Sequence, residues 1–249
     1  MKSTLLCTAL TSSLLSFNSF AEEPAPVDDS WKIAAELGLL VTTGNTESSS
    51  IFTKISAAHQ KDSWKQKYTF NTLVKKDELT DDDGSTYTEE TANQYALTGQ
   101  GDYLLGEFSA AFLFGSYTNT EFSSYKQYTT VAAGYSFRAI HDDALSLDLN
   151  IGPGFTETET QDGVTESGAI VRGSLALVWD ISKNARFEQN VSVESGEANT
   201  RTIAESALVS SLNETIKMKF GFALTTDADV PEGLEKTDTE TSATIIVSF

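Results

Sequence analysis

The chain has 249 residues, with 36 Asp or Glu against 17 Lys or Arg, a formal charge of −19 and a single cysteine. So acidic a balance excludes a nucleic-acid footprint and a polybasic membrane-surface anchor, and one cysteine excludes a disulfide framework.

The N-terminal stretch reads as a leader. Met1-Lys2 gives a positive start, Leu5 to Leu15 a modest apolar stretch, and Ser19-Phe20-Ala21 the small residues a signal peptidase reads. The expectation is a signal peptide over 1–21, cleaved after Ala21 and taking Cys7 with it, followed by a short periplasmic segment over 22–30. The mature chain of about 228 residues then carries a charge near −20 and suffices for one large β domain. No mature stretch approaches the ~20 apolar residues of a membrane helix. Any membrane role therefore falls to strands.

From Trp31 onward period two dominates. Trp31, Ile33, Ala35, Leu37, Leu39 and Val41 alternate with Lys32, Ala34, Glu36 and Gly38. The same alternation returns through Trp64 to Val74, Leu145 to Ile151, Phe187 to Val193 and Ile216 to Leu224. Twelve segments follow, near 31–42, 50–60, 63–74, 91–103, 107–117, 127–138, 144–155, 168–179, 186–195, 200–212, 215–226 and 239–249. The fifth, "FSAAFLFGSY", is apolar on both faces. Connections after even segments are short: "KD", "LLG", "AIHDD", "DISKNA" and "LNET". Those after odd segments tend to be long and acidic, as in "KKDELTDDDGSTYTEE" and "TDADVPEGLEKTDT", with "TGNTESS" and "GEANT" as short exceptions.

This layout predicts an all-β fold: a transmembrane antiparallel up-and-down β-barrel of about twelve strands (within ten to fourteen) over 31–249. It would sit in the Gram-negative outer membrane with short turns and both termini periplasmic. A soluble secreted barrel or sandwich shares the alternation. Three features favour the membrane. Strands of about eleven residues at ~3.3 Å rise and ~40° tilt cover ~28 Å, against an apolar band of ~25 Å. Aromatics fall near strand ends at Trp31, Trp64, Tyr103, Phe155 and Trp179, as a girdle requires. The last strand, "TSATIIVSF", ends on Phe249, a ring that needs an apolar place at the membrane boundary.

Those residues also carry a resemblance. "ELGLLVTTGNTESSSI", with Gly44-Asn45-Thr46 at the first hairpin, resembles the opening of the YdiY-like family of salt-induced outer-membrane proteins. "VAAGYSF" (131–137) and "LSLDLNIGPGF" (145–155) resemble that family's central glycine-rich strand pair. Thr156 and Glu157 stand where the family has a basic residue, and Val247 where an aromatic is usual. Phe249 is similar to the terminal signal of outer-membrane proteins. The resemblance implies lipids and lipopolysaccharide as surroundings and the barrel-assembly machinery as a partner through the strand ending in Phe249. It implies no catalytic activity.

The residues themselves offer little chemistry. The two histidines, His59 and His141, both map to the short-turn side, away from an external rim where an outer-membrane hydrolase would work, and they read as solvated turn residues. "DDDGS" (81–85) has the carboxylates of a calcium loop but neither the alternate spacing nor the distant bidentate glutamate. Acids concentrate in 77–90, 157–166 and 227–240, which together hold 17 of the 36. They read first as a self-repelling, solvated external face, and second as an attraction for divalent cations. No catalytic, metal or cofactor residue is assigned.

The alternation turns Lys32, Glu36, Lys54, Lys65, Lys67, Asp148, Arg172, Arg186, Glu188, Glu194, Glu205, Lys217 and Lys219 into the lumen. Unpaired charge in a dry lumen is too costly, so partners or water must be present. Twelve strands lie between filled eight-stranded barrels and open sixteen-stranded porins. Pro153, between Gly152 and Gly154, predicts a bend or bulge near the external rim. The expected function is a non-enzymatic structural or envelope-stress barrel without a general pore. The alternative is a narrow passive channel for ions or small solutes, and a lipid-modifying enzyme comes third.

Overall fold

The computed structural model describes residues 31–43, 48–80, 86–120, 125–197, 199–230 and 234–249. The expected leader (1–21), the segment 22–30, Gly44-Asn45-Thr46 and the Asp81 to Ser85 stretch lie outside the described residues.

Twelve strands follow one another: β1 (Trp31–Thr43), β2 (Ser48–Lys61), β3 (Trp64–Thr80), β4 (Thr86–Gly106), β5 (Ser109–Thr120), β6 (Tyr125–His141), β7 (Leu145–Thr160), β8 (Thr165–Ser182), β9 (Ala185–Gly196), β10 (Thr200–Ser211), β11 (Ile216–Asp227) and β12 (Thr237–Ser248). Each pairs antiparallel with its neighbours in sequence, and β1 pairs with β12 from Ala34↔Ser248 to Thr43↔Thr239, closing the sheet. Closure leaves no edge. All twelve expected segments are strands, and the fold class is the one the alternation predicts.

The tight connections have local causes. Asp62 takes φ 52 in the two-residue turn before Trp64, a left-handed conformation that Asp tolerates. Asn213 Oδ1 accepts from the backbone N–H of Thr215 at 2.9 Å and of Ile216 at 2.7 Å, an Asx turn that launches β11.

Burial is inverted relative to a soluble protein. Leu39 is 65 % exposed and Leu113 61 %, while Glu36 and Glu194 are each 7 % exposed. Most large apolar side chains point outward, while Glu36, Arg172, Glu194 and Lys219 point into the lumen beside the inward rings of Phe112 and Phe114. An outward belt so rich in large apolar side chains, interrupted only locally by polar groups such as the hydrogen-bonded Gln189 and Ser206, is stable against lipid. This settles the soluble alternative.

Aromatics bound the belt. At the turn end Trp64 packs edge-on against its pair Tyr103 with centroids 5.1 Å apart, Trp31 stacks on His59 at 4.5 Å, and Trp179 pairs with Phe187. At the opposite, hairpin end, Tyr95 lies 5.9 Å from Tyr117, and Phe155 points out from β7 with 53 % exposure.

Two expectations need correction. The acidic stretch after the expected third segment is in part strand: six residue pairs, from Lys75↔Ala92 to Thr80↔Thr86, continue the ladder past Val74 with one shift at Lys75/Lys76. At ~3.3 Å per residue this hairpin carries ~20 Å of strand beyond the belt. Thr86, Tyr87 and Thr88 are good strand formers, which the charge around them obscured. Pro153, one outward position below Phe155 of the hairpin-end girdle, causes no bulge or register shift. It interrupts the ladder to β6, which resumes at Ala132↔Gly154 and Tyr135↔Ile151, while the register with β8 runs on through Pro153↔Val171.

Candidate functional site

Strand parity places all thirteen expected lumen residues on the inner face, and the register decides which of them meet. Lys219 on β11 reaches over β12 to Glu36 on β1, with Nζ 3.0 Å from Oε1. Thr244, from the intervening strand, donates to the same carboxylate at 2.6 Å. Arg172 on β8 meets Glu194 on β9 with Nε 3.2 Å from Oε1, and Thr130 on β6 donates to Oε2 at 2.9 Å. The Arg172 guanidinium also lies 3.7 Å above the ring of Phe114 on β5.

Two more pairs flank the turn end. Arg138 holds Asp148 by two hydrogen bonds of 2.7 and 3.0 Å, and Arg186 holds Asp180 at 2.6 and 3.1 Å. Such bidentate forks are the geometry in which guanidinium and carboxylate bind best.

Sequence reasoning left out several lumen groups: Asp102, Phe114, Tyr128, Thr130, Arg138, Asp180, Arg201 and Asp227. Parity alone would have added Arg138 and Arg201, which share their strands' inner faces with Ser136 and Glu205. Phe114 carried no such signal, because β5 is apolar on both sides. Its inner rings pack with Ala132 as a small buried cluster of Phe112, Phe114 and Ala132.

A cavity of about 490 Å³ occupies the lumen between β3 and β10. It runs from Glu107 and Phe108 at the turn end to Tyr128 and Arg201 at the hairpin end, with Lys65, Lys67, Asp102 and Glu205 on its walls. Charges of both signs and several hydroxyls and amides face it, interleaved with apolar side chains such as Phe114, Leu175 and Ile203.

The histidines fall outside this space. His59 sits under Trp31 in the turn-end collar, and His141 lies 6.3 Å from Phe108. Among the described residues no group of three or more His, Cys, Asp or Glu converges as metal ligands would.

Comparison with known proteins agrees with this architecture. Residues 35–249 match the family described as "Protein of unknown function, DUF481". The uncharacterized protein YdiY of Escherichia coli (strain K12) is 26% identical over 225 residues, spanning 90% of this chain and 85% of that protein. The NanC porin superposes with a TM-score of 0.56 at 11% identity, over 86% of this chain and 98% of that one. The translocator domain of the autotransporter NalP from Neisseria meningitidis gives 0.52 at 10% identity, over 88% of each chain. At such identities these structures speak for the fold. Porin-like neighbours and a lipid-facing belt indicate the outer membrane. The chain belongs to the DUF481 family, and is a twelve-stranded, YdiY-like outer-membrane β-barrel protein.

Proposed function

We propose that this barrel is a narrow, non-enzymatic passage for small hydrophilic solutes across the outer membrane. The observation that carries the reading is the cavity of about 490 Å³ along the lumen wall from Glu107 to Arg201, where charged and hydroxyl groups stand among apolar ones. A barrel serving only as a rigid body has no need of an interior space of that size. The side chains bridging the lumen keep the bore small, which argues against a general pore. NanC is called a porin, and its likeness in fold supports this reading by analogy. A purely structural, stress-related barrel is favoured by the ion-pair lattice alone. Purified full-length protein in planar bilayers is expected to give small stepwise conductance in high salt, and silence of the wild type together with its lumen-mouth variants would sink the passage reading.

In the proposed orientation a cleaved leader (1–21) exports the chain, the short turns and both termini face the periplasm, and the long hairpins face outward. Divalent cations shared with lipopolysaccharide are proposed only as diffuse counter-ions of the acidic hairpins. An epitope inserted between Asp162 and Gly163, in the turn joining β7 to β8, should bind antibody on intact cells. The same tagged protein lacking Phe249 should lose most of that signal, because the proposed partner, the barrel-assembly machinery, reads the last strand. Antibody binding only after permeabilisation would reverse the orientation. Full surface signal without Phe249 would remove its assembly role.

A further inference from the structure

The hairpin-end mouth is crossed by side chains from opposite walls. Tyr128 stands on β6 and Arg201 on β10, four strands away, yet the Arg201 guanidinium carbon lies 4.2 Å from the centre of the Tyr128 ring. Tyr125, also on β6, donates its hydroxyl to the carbonyl of Asp229 at 3.1 Å, and Asp229 follows β11, five strands away out of a possible six. These contacts span the lumen. Tyr128 pairs with Thr158, three residues beyond Phe155 of the outer girdle, so the crossing lies at the outer limit of the belt.

Asp227 and Asp229 are clipped in place from the β10 side. Asn199 donates to Asp227 Oδ1 at 2.8 Å and accepts from the Asp229 N–H at 3.0 Å, while the Ala228 N–H donates to the Thr200 carbonyl at 2.9 Å. The chain just after β11 is thereby fixed where Tyr125 reaches it from the opposite wall.

Arg201 is the one weakly held member. Arg138, Arg172 and Arg186 each bond a carboxylate at 2.6 to 3.2 Å. Arg201 lies 3.7 Å from Asp227, and its buried Nε and Nη1 have no hydrogen-bond partner, although the residue is only 8 % exposed. A desolvated guanidinium with unmatched donors gains by moving to water. Stacking on Tyr128 and attraction to Asp227 oppose that movement. Arg172, by contrast, is fixed by Glu194, Ser174 and Phe114.

We propose that Arg201 is the movable bar of a gate at the hairpin-end mouth, with Tyr128 as its rest and the Tyr125–Asp229 bond as the strap beside it. Tyr128 and Arg201 both line the cavity, so swinging the arginine toward bulk water opens the cavity's roof. Removing its positive charge while Asp227 stays also shifts the mouth toward cations. The inference rests on the passage reading, and the test separates the two.

Single-channel conductance and reversal potential are measured in KCl for full-length wild type, Arg201→Ala, Tyr128→Ala and Tyr125→Phe. Barrel folding is first checked by heat-modifiable migration in electrophoresis. Arg201→Ala is expected to raise unit conductance at least threefold and to shift the reversal potential toward cation preference. Tyr128→Ala should raise conductance with less change in selectivity, and Tyr125→Phe, which keeps the ring and is the safest for folding, should lengthen open times. Folded variants that conduct while wild type stays silent also support the gate. Conductance, open times and selectivity equal to wild type in the folded variants overturn the gate and leave the passage standing. Silence in every protein overturns both.

Discussion

Gly152→Ala is expected to cripple assembly of the barrel, although it adds one methyl group. A Cβ at Gly152 would collide with the carbonyl oxygen of Ala133 and come within 2.7 Å of Gly134 Cα, both on the neighbouring strand β6. Both are backbone atoms, so no rotamer change relieves the clash. Strand β6 would have to move away where the ladder is already interrupted beside Pro153. Ordinary overpacking costs ~1–3 kcal/mol because side chains yield; with backbone opposing backbone the loss should be at least ~3 kcal/mol, a large part of a typical folding free energy. Gly173→Ala is the matched control, because nothing lies within 4 Å of its added Cβ. Heat-modifiable migration and urea midpoints in detergent report both. A Gly152→Ala barrel as stable as Gly173→Ala would show that the strands can part there freely.

Arg172→Met should be the most damaging change among the lumen charges. It leaves Glu194, 7 % exposed, with only the Thr130 hydroxyl as a bonded partner, and it removes the stack on Phe114. Breaking a buried pair from one side costs about 3–5 kcal/mol, and water in the adjoining cavity moves the expectation to the lower end, about 3 kcal/mol. Adding Glu194→Leu should restore most of the loss, to within ~1 kcal/mol of wild type, because the double variant strands no charge. Arg186→Met, whose side chain is 45 % exposed at the turn end, should cost less than ~1 kcal/mol despite its shorter contact of 2.6 Å with Asp180. Urea unfolding followed by tryptophan fluorescence ranks the three. Equal losses at Arg172 and Arg186 would mean that the lumen is wet throughout.

The strands were legible because one signal, apolar residues at every second position, repeats over ten or more residues in nearly all of them. It identifies which side chains face inward, Glu36 and Lys219 among them. It does not say that those two meet, because they lie 183 residues apart with β12 between them, and only the stagger of the closed sheet brings them level. Thr130 and Glu194, three strands apart, are a second instance. Pairing across a lumen is a property of the whole circumference. The Arg201 crossing was hidden for the same reason. Hairpin length was misread for another: in the stretch after β3, acids suggested solvent, and solvent suggested loop. The backbone ladder from Lys75↔Ala92 to Thr80↔Thr86 forms in spite of those acids.

The hydrogen bond from Thr244 to Glu36 joins residues 208 positions apart, and the whole β1–β12 seam has similar separations. Every other neighbouring pair is a local hairpin. The chain therefore has low contact order except for one very distant step, and the loop-closure cost of that step favours its coming last. Until β12 arrives, β1 and the growing far strand are both bare edges, each able to pair with another chain. Ring closure is thus a single late event on which the safety of all earlier pairing depends. A chain stalled before residue 237 would be a nearly complete sheet with two adhesive borders, more prone to aggregate than one stalled after a single hairpin.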